Sequence, residues 1–156
     1  MIKIMFVCHG NICRSPMAEF IMKDLVKKQN LNADFLISSS ATSSEEIWNG
    51  IGNPIYPPAK AELKKHGIPY EDRCATLLKP QDYDNFDLFI CMDDNNLRNI
   101  KRIFKSDPKN KIKKLMEFTG SQKDVADPWY YGNFDVTYSD ILKGCSALLT
   151  ELTKSN

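Results

Sequence analysis

A cysteine and an arginine six residues apart carry the clearest chemical signal in this sequence. Cys8 follows a short apolar stretch, Arg14 lies further along the same segment, and Gly10-Asn11 stands between them. Gly and Asn tolerate positive φ better than most residues, so this pair suits a tight turn that directs N–H groups inward. Ser15-Pro16 then favours a helix start, with Ser as the N-cap and Pro in the first turn. The segment therefore predicts an anion site at a helix N-terminus.

The same segment contains the parts needed for phosphoryl transfer to a thiol. Its N–H groups and the planar fork of Arg14 would bind phosphate oxygens. These positive groups would also favour a thiolate on Cys8, to which Ser15 could donate its hydroxyl. A thiolate can attack phosphorus and form a phosphocysteine intermediate. We therefore predict a phosphate-binding loop made of Cys8, His9, Gly10, Asn11, Ile12, Cys13, Arg14 and Ser15.

Strands and helices are predicted to alternate around this loop. Strands are expected at 2–7, 34–39, 86–91 and 112–116, helices from 15 onward and at 57–66, 94–104 and 134–153, and loops at 40–56 and 117–133. This order predicts an α/β fold, a single three-layer domain over 1–156 with a four-stranded parallel sheet flanked by helices on both faces. Ligands bind at the carboxyl ends of strands in such sheets, which is where the loop lies.

Composition excludes several other classes of protein. The 156 residues carry a net charge of +1, which argues against a nucleic-acid partner. The first apolar stretch is too short for a signal peptide or a membrane span. The five cysteines are irregularly spaced and form no zinc-binding pattern. We therefore predict no metal, no cofactor, no membrane partner and a cytoplasmic location with reduced thiols.

The segment from Val7 to Pro16 resembles the signature of the low-molecular-weight protein tyrosine phosphatases. The similarity covers nearly the whole chain, with related segments at 37–41, 65–68, 91–93 and 127–130. The family fold, a four-stranded parallel sheet flanked by helices, agrees with the element order above. The resemblance implies an enzyme that hydrolyses phosphotyrosine on a protein, or a small aryl phosphate, without a metal and releases inorganic phosphate.

An acidic residue on a facing loop is expected to protonate the leaving phenolate and then to act as base for water. Pro128 holds Asp127 in an extended conformation, and from spacing alone this pair predicts a turn. Resemblance to the family's Asp-Pro-aromatic motif instead makes Asp127 the expected general acid. Asp124 is the weaker candidate.

Apolar side chains near the loop are expected to form a slot for a flat aromatic ring. Ile12, Trp129 and Tyr130 would flank the phosphate, and Trp48 would supply the opposite wall. The alternatives are that Trp129 and Tyr130 pack within their own loop and that Trp48 is a surface residue.

The resemblance also implies residues that support the loop. Ser39 matches a family Ser that bonds to the residue matching Asn11, although a strand-end Ser also makes turns. Asp93 either braces the loop or caps its own helix. A contact between Glu19 and His66 is expected near a helix C-terminus.

The remaining cysteines and His9 have less specific assignments. Cys13 either fills space or traps oxidised Cys8 as a reversible disulfide. His9 is assigned to specificity or to no role. Cys74, Cys91 and Cys145 lie on apolar or helical segments and are expected to be structural.

Four rival functions share parts of this pattern. An arsenate reductase of the same fold needs a relay of thiols, for which Cys74 and Cys91 match only in region. Protein arginine phosphatases of the family typically carry Thr at the position of Ile12, so the apolar residue favours an aryl phosphate. Phosphocysteine carriers of sugar transport lack the arginine and the downstream acid. A catalytically inactive binder would be expected to lack Cys8 or Asp127.

Overall fold

Six strands and five α-helices alternate along the computed structural model, which describes residues 1–154 apart from the side chains of Tyr130 and Tyr131. The strands are β1 (Ile2–Cys8), β2 (Phe35–Ala41), β3 (Ile47–Trp48), β4 (Ile51–Gly52), β5 (Leu88–Cys91) and β6 (Ile112–Lys114). The α-helices are α1 (Arg14–Lys28), α2 (Pro57–Lys65), α3 (Asp94–Phe104), α4 (Pro128–Tyr131) and α5 (Phe134–Leu152). Four strands form a parallel sheet in the order β2-β1-β5-β6. The predicted α/β fold with a four-stranded parallel sheet is therefore confirmed.

Successive residues of β1 face opposite sides of this sheet, as the pleat of a strand requires. Ile4 and Phe6 belong to a core that includes Ile141 of α5. Val7 belongs to a second core on the other face, together with Ile100 of α3. The central strand is therefore covered on both sides, which explains its nearly continuous apolar sequence.

Three strands of the sheet differ from their predicted bounds by more than one residue at one end. β2 continues to Ala41 because it pairs with β1 along its whole length. β5 begins only at Leu88, because Phe86 is the C-cap of a 3₁₀ helix over Pro80–Asn85 and the Asp87 side chain accepts from the Lys3 N–H. β6 ends at Lys114, and a second 3₁₀ helix, Leu115–Thr119, follows directly.

Both predicted loops contain short regular elements. β3 and β4 form an antiparallel hairpin within the first loop. Its turn is made by Asn49 and Gly50, whose φ angles are 50° and 77°. Asn-Gly between apolar residues is a strong hairpin signal that the polar surroundings concealed. The second predicted loop contains α4, which begins directly after Asp127.

The N-terminus of α1 departs from the prediction in an informative way. The helix begins at Arg14, with Cys13 as an N-cap residue that makes no side-chain capping bond. Ser15 is therefore not the N-cap. Its hydroxyl is directed into the preceding loop, where it contacts Cys8 and Asn11.

The other helices lie close to their predicted positions. α2 ends one residue earlier than predicted, with His66 as its C-cap and Gly67 at a φ of 69°. α3 has the predicted bounds, and α5 ends at Leu152. Across residues 1–154, none of the helices is both long and apolar enough to cross a membrane.

Candidate active site

The loop between β1 and α1 surrounds the Cys8 sulfur with hydrogen-bond donors. Cys8 is the last residue of β1 and is 4% exposed. The backbone N–H groups of Asn11 and Ser15 point at its Sγ from 3.3 and 3.4 Å. Ser15 Oγ lies 3.0 Å from the same sulfur. Donors in this arrangement stabilise an anion, whether it is a thiolate or a bound phosphate.

Asn11 holds the loop in its tight conformation. Its φ of 59° lies in the left-handed region, which Asn tolerates better than most residues. Its side-chain amide donates to Ser15 Oγ at 2.8 Å and to Ser39 Oγ at 3.0 Å, and its Oδ1 accepts from the Thr76 N–H at 3.0 Å. Because Asn11 donates to the Ser15 oxygen, the Ser15 hydrogen is free to point at Cys8. The structure thus brings Ser15 and Ser39 to the positions expected of loop-supporting residues.

A chain of polar groups, buried as far as Glu19, extends from Asn11 to the partly exposed Lys23 of α1. The Ser39 hydroxyl donates to Glu19 Oε1 at 2.6 Å, and Lys23 donates to the other Glu19 oxygen at 2.6 Å. The expected contact between Glu19 and His66 is therefore wrong. Both Glu19 oxygens already have partners on this side of α1, and His66 lies against Glu62 instead.

Arg73 is the supporting residue that sequence reasoning missed. It donates to the Asn11 carbonyl at 2.7 Å, to Asn11 Oδ1, and to Ser39 Oγ at 3.3 Å. Burial lowers the pKa of its guanidinium, while Glu19 and Cys8 act in the opposite direction. The residue lies in an irregular stretch, 62 positions from Asn11, so no local pattern indicated this contact.

Arg14 is buried at the base of the site, with 4% of its surface exposed. It donates to the Val125 carbonyl at 3.0 Å, and its Nη2 lies 2.9 Å from Asp93 Oδ2 and 3.6 Å from Asp127 Oδ2. Burial acts to lower the pKa of this guanidinium. The negative charges of Cys8 and of the two carboxylates outweigh burial and raise the pKa above its usual value. Arg14 is therefore a permanent cation beside the Cys8 sulfur.

Asp93 performs both roles that the sequence left open. Its Oδ1 accepts from the Asn96 N–H at 2.7 Å and so caps α3. Its Oδ2 forms the ion pair with Arg14. One carboxylate therefore joins the first turn of α3 to the floor of the phosphate-binding loop.

Asp127 lies at the N-cap of α4, where its Oδ1 accepts from the Trp129 N–H at 3.0 Å. Its side chain is 30% exposed, and its second oxygen faces Arg14. Helix α5 fixes the preceding residue, because Thr137 donates to the Ala126 carbonyl at 2.9 Å. The weaker candidate, Asp124, is held by an ion pair with Lys114 at 2.6 Å.

A cavity opens over the loop and contains most of the predicted site. Its lining includes the loop residues Cys8, His9, Gly10, Ile12, Cys13 and Arg14, the carboxylates Glu45, Glu46, Asp93, Asp124 and Asp127, and the aromatic Trp129. His9 pairs with Glu45 at 2.9 Å across its entrance. Of the five carboxylates, Asp93 pairs with Arg14 and Asp124 with Lys114, and Glu45, Glu46 and Asp127 leave the rim acidic.

The predicted aromatic walls divide into three cases. Trp129 lines the cavity, is 60% exposed and packs against Tyr56 with ring centroids 5.0 Å apart. Trp48 is 80% exposed on the β3–β4 hairpin and is not among the lining residues, so the structure does not place it as a wall. The turn before the hairpin brings Glu45 and Glu46 there instead. The side chain of Tyr130 lies outside the described part of the chain.

The cysteines occupy contrasting environments. Cys13 lines the cavity beside Cys8, and burial, together with the charge on Cys8, raises the pKa of its thiol. Cys91 and Cys145 are buried, and burial raises the pKa of each. Cys74 was expected to be structural. It is exposed instead, in an isolated antiparallel bridge with Pro54.

Comparison with known proteins decides the family of this chain. A sequence profile described as "Low molecular weight phosphotyrosine protein phosphatase" matches residues 3–156. The chain belongs to this family. It is accordingly a phosphatase, as the resemblance implied.

Individual members of the low-molecular-weight phosphatase family support the same conclusion. The low-molecular-weight protein-tyrosine-phosphatase PtpA of Staphylococcus aureus is 38% identical over 155 residues, which cover 99% of this chain and 96% of that protein. The crystal structure of YfkJ from Bacillus subtilis matches with a TM-score of 0.90 and 36% identity, covering 97% of this chain and 94% of YfkJ. DARP, a Drosophila arginine phosphatase, matches with a TM-score of 0.87 and 29% identity, covering 99% of this chain and all 100% of DARP.

Proposed function

We propose that this phosphatase hydrolyses phosphotyrosine through a phosphocysteine intermediate on Cys8, without a metal or cofactor. The observation that carries the proposal is the set of donors around one sulfur: two backbone N–H groups, the Ser15 hydroxyl and the nearby Arg14 cation. These donors can stabilise negative charge on the sulfur when it acts as nucleophile or leaving group. After binding, the same loop can hold the oxygens of the phosphoryl group.

In the first chemical step, the Cys8 thiolate attacks phosphorus and the bond to the tyrosine oxygen breaks. Asp127 protonates that oxygen as it leaves. The geometry supports this role because Asp127 lies at the cavity beside Arg14 and keeps partial exposure to incoming substrate. Its 3.6 Å separation from Arg14 is looser than the 2.9 Å pair formed by Asp93. Asp93 therefore anchors the guanidinium, and Asp127 is the carboxyl left for proton transfer.

In the second step, Asp127 removes a proton from water, which attacks the phosphocysteine and releases inorganic phosphate. Ser15 stabilises the departing thiolate with its hydroxyl, which Asn11 has already oriented. Arg14 and the loop N–H groups remain in place through both steps. Little reorganisation is then needed as charge moves between sulfur and oxygen.

The walls of the cavity support an aryl phosphate as substrate. Ile12, within the loop, and Trp129 both offer apolar surface to the cavity. The similarity to a Drosophila arginine phosphatase keeps phosphoarginine as the second candidate, and the acidic rim also suits a cationic group. An arsenate reductase is less well supported, because burial raises the pKa of the Cys91 thiol and disfavours its use as a relay.

One comparison separates these candidates. Peptides that carry phosphotyrosine, phosphoserine or phosphoarginine in the same sequence are offered to the wild-type enzyme, and kcat/KM is measured for each. The proposal expects the phosphotyrosine peptide to be preferred. Preference for phosphoarginine, or arsenate-dependent oxidation of a thioredoxin partner, would instead support a rival.

We further propose a cytoplasmic location. All five cysteines are free thiols in the structure, including the exposed Cys74. Persistent free thiols suit a reducing compartment. Cell fractionation with an antibody to the native chain tests this assignment.

A further inference from the structure

Three possible metal ligands meet where the C-terminal end of α2 packs against the first turn of α5. Glu62, His66 and Asp135 each offer one ligand atom, and these atoms all lie within 4.8 Å of one another. None of the three lines the cavity above Cys8. This cluster therefore has no part in the phosphatase chemistry described above.

Glu62 gives the cluster its clearest requirement for a ligand. Its side chain is 6% exposed, and among the described residues its Oε1 atom has no hydrogen-bond partner. A buried carboxylate without a partner is costly. The Asp135 carboxylate approaches it, and the one lysine that contacts this pair, Lys65, donates to Asp135 Oδ1 at 2.7 Å. Glu62 thus lies beside a second carboxylate, and the nearest group that could carry a positive charge is the His66 imidazole, 3.5 Å from its Oε1.

One separation between ligand atoms is close to that expected in a transition-metal site. His66 Nε2 lies 3.5 Å from Glu62 Oε1. Two ligands at 2.0–2.1 Å from a tetrahedral Zn²⁺ would be separated by about 3.3 Å. The imidazole is held in one plane by stacking on Tyr138, with ring centroids 3.7 Å apart and an interplanar angle of 3°. Little side-chain entropy would remain to be lost when a metal binds.

We propose that Glu62, His66 and Asp135 bind Zn²⁺ as a structural ion. One imidazole and two carboxylates suit a borderline first-row ion better than Mg²⁺ or Ca²⁺, which prefer oxygen ligands alone. The ion would join α2 to the first turn of α5. Thr137, two residues after Asp135 in α5, donates to the carbonyl of Ala126, which directly precedes the proposed general acid Asp127. The metal would therefore stabilise the segment that carries Asp127, without contacting substrate.

Zn²⁺ binding is measured by isothermal titration calorimetry with ZnCl₂. The background protein carries Cys8→Ser and Cys74→Ser, so that the reactive and exposed thiols do not bind the ion. The chain has two histidines, which makes His9→Gln a matched control because His9 also pairs with a glutamate. We expect one Zn²⁺ per chain, with binding weakened by more than about 100-fold in His66→Gln, beyond the 10–100-fold typical of a second-shell loss. His9→Gln should bind as the background does. Unchanged binding in His66→Gln, or loss in His9→Gln, would overturn the proposal.

Two further variants test the site, one by its Zn²⁺ affinity and the other by its melting temperature. Lys65→Gln removes the cation that competes for Asp135, so it should tighten Zn²⁺ binding several-fold. Zn²⁺ should raise the melting temperature of the background protein and should leave that of Glu62→Gln unchanged. A different result contradicts the proposal. If Zn²⁺ changes the melting temperature of neither protein, and Glu62→Gln melts at a higher temperature than its parent, then Glu62 and Asp135 share a proton instead of a metal ion.

Discussion

The guanidinium of Arg14 is anchored by Asp93, whose Oδ2 lies 2.9 Å from Arg14 Nη2 while its Oδ1 caps α3. The two oxygens of one side chain therefore serve separate purposes, and substitutions can separate them. Ser is a good N-cap residue but carries no charge. Asp93→Ser should preserve the cap of α3 and weaken the positioning of Arg14.

We expect kcat/KM of Asp93→Ser to fall about 10-fold, which corresponds to ~1.4 kcal/mol. The kcat/KM of Asp93→Ala should fall to the same extent. Relative to Asp93→Ser, this variant should also lose ~0.5–2 kcal/mol of unfolding free energy, because the cap of α3 is lost. Urea denaturation and steady-state kinetics on both variants test this separation. Equal stability loss in the two variants would show that the ion pair, not the cap, stabilises α3.

Cys8→Ser should abolish turnover and retain phosphate binding. The substitution keeps the size of the side chain and the surrounding N–H groups, but an alcohol is not ionised at neutral pH. Hydrolysis of an aryl phosphate and calorimetric titration with inorganic phosphate measure the two properties. Substantial hydrolysis by Cys8→Ser would end the proposed mechanism.

Asp127→Asn should reduce kcat for phenyl phosphate by ~10²–10⁴-fold, the usual range for loss of a general acid. Asn is as good an N-cap as Asp, so α4 should keep its start. The loss should shrink for substrates whose leaving group needs no proton. Asp124→Asn is the matched control, because Asp124 is paired with Lys114, and its kcat should change far less. The reverse ranking would assign the acid to Asp124.

Arg73→Met should destabilise the loop through Asn11. The substitution leaves the Asn11 carbonyl without its donor, which typically costs ~1–3 kcal/mol. We expect kcat to fall and the inhibition constant for phosphate to rise together, since the same loop serves both. Arg73→Lys should rescue little, because one ammonium does not reproduce the fork that spans Asn11.

A surface ion pair provides the comparison for Arg73. Lys60 contacts Asp72 at 3.1 Å near the same stretch of chain. Lys60→Met should change the unfolding free energy by no more than about 0.5 kcal/mol and leave kcat as it is. Similar losses in both variants would mean that Arg73 acts only through general stability.

Cys13 should remain a neutral thiol at the pH where Cys8 reacts, since burial and the Cys8 charge raise its pKa. A raised pKa keeps the proton on sulfur at neutral pH, so limited iodoacetamide should label Cys8 first. Oxidised Cys8 would then be captured by the neighbouring thiol as a disulfide. We expect dithiothreitol to restore activity after peroxide treatment of the wild type, but not of Cys13→Ser. Equal recovery in both would make Cys13 a filler of space.

The sequence predicted those parts of the fold and site that local patterns encode. The apolar runs and caps predicted the order of strands and helices, and the Cys8–Ser15 segment contained its own turn and helix start. The contacts of Arg73 and Asp93 with the loop join distant parts of the chain, and no periodicity indicates them. The error at His66 was of the opposite kind. We expected a distant partner, Glu19, but the contact is with Glu62, four residues earlier, a spacing at which side chains on one helix face meet.

The anchoring of Ala126 by Thr137 has a consequence for biosynthesis. The nucleophile Cys8 lies in β1, whereas Thr137, which holds the residue before Asp127, lies in α5, more than 120 positions later in the chain. A ribosome-bound chain that still lacks this helix would expose a reactive thiol without an ordered proton donor. Hydrolytic competence is therefore expected to arise only after α5 has been synthesised and has packed against α1.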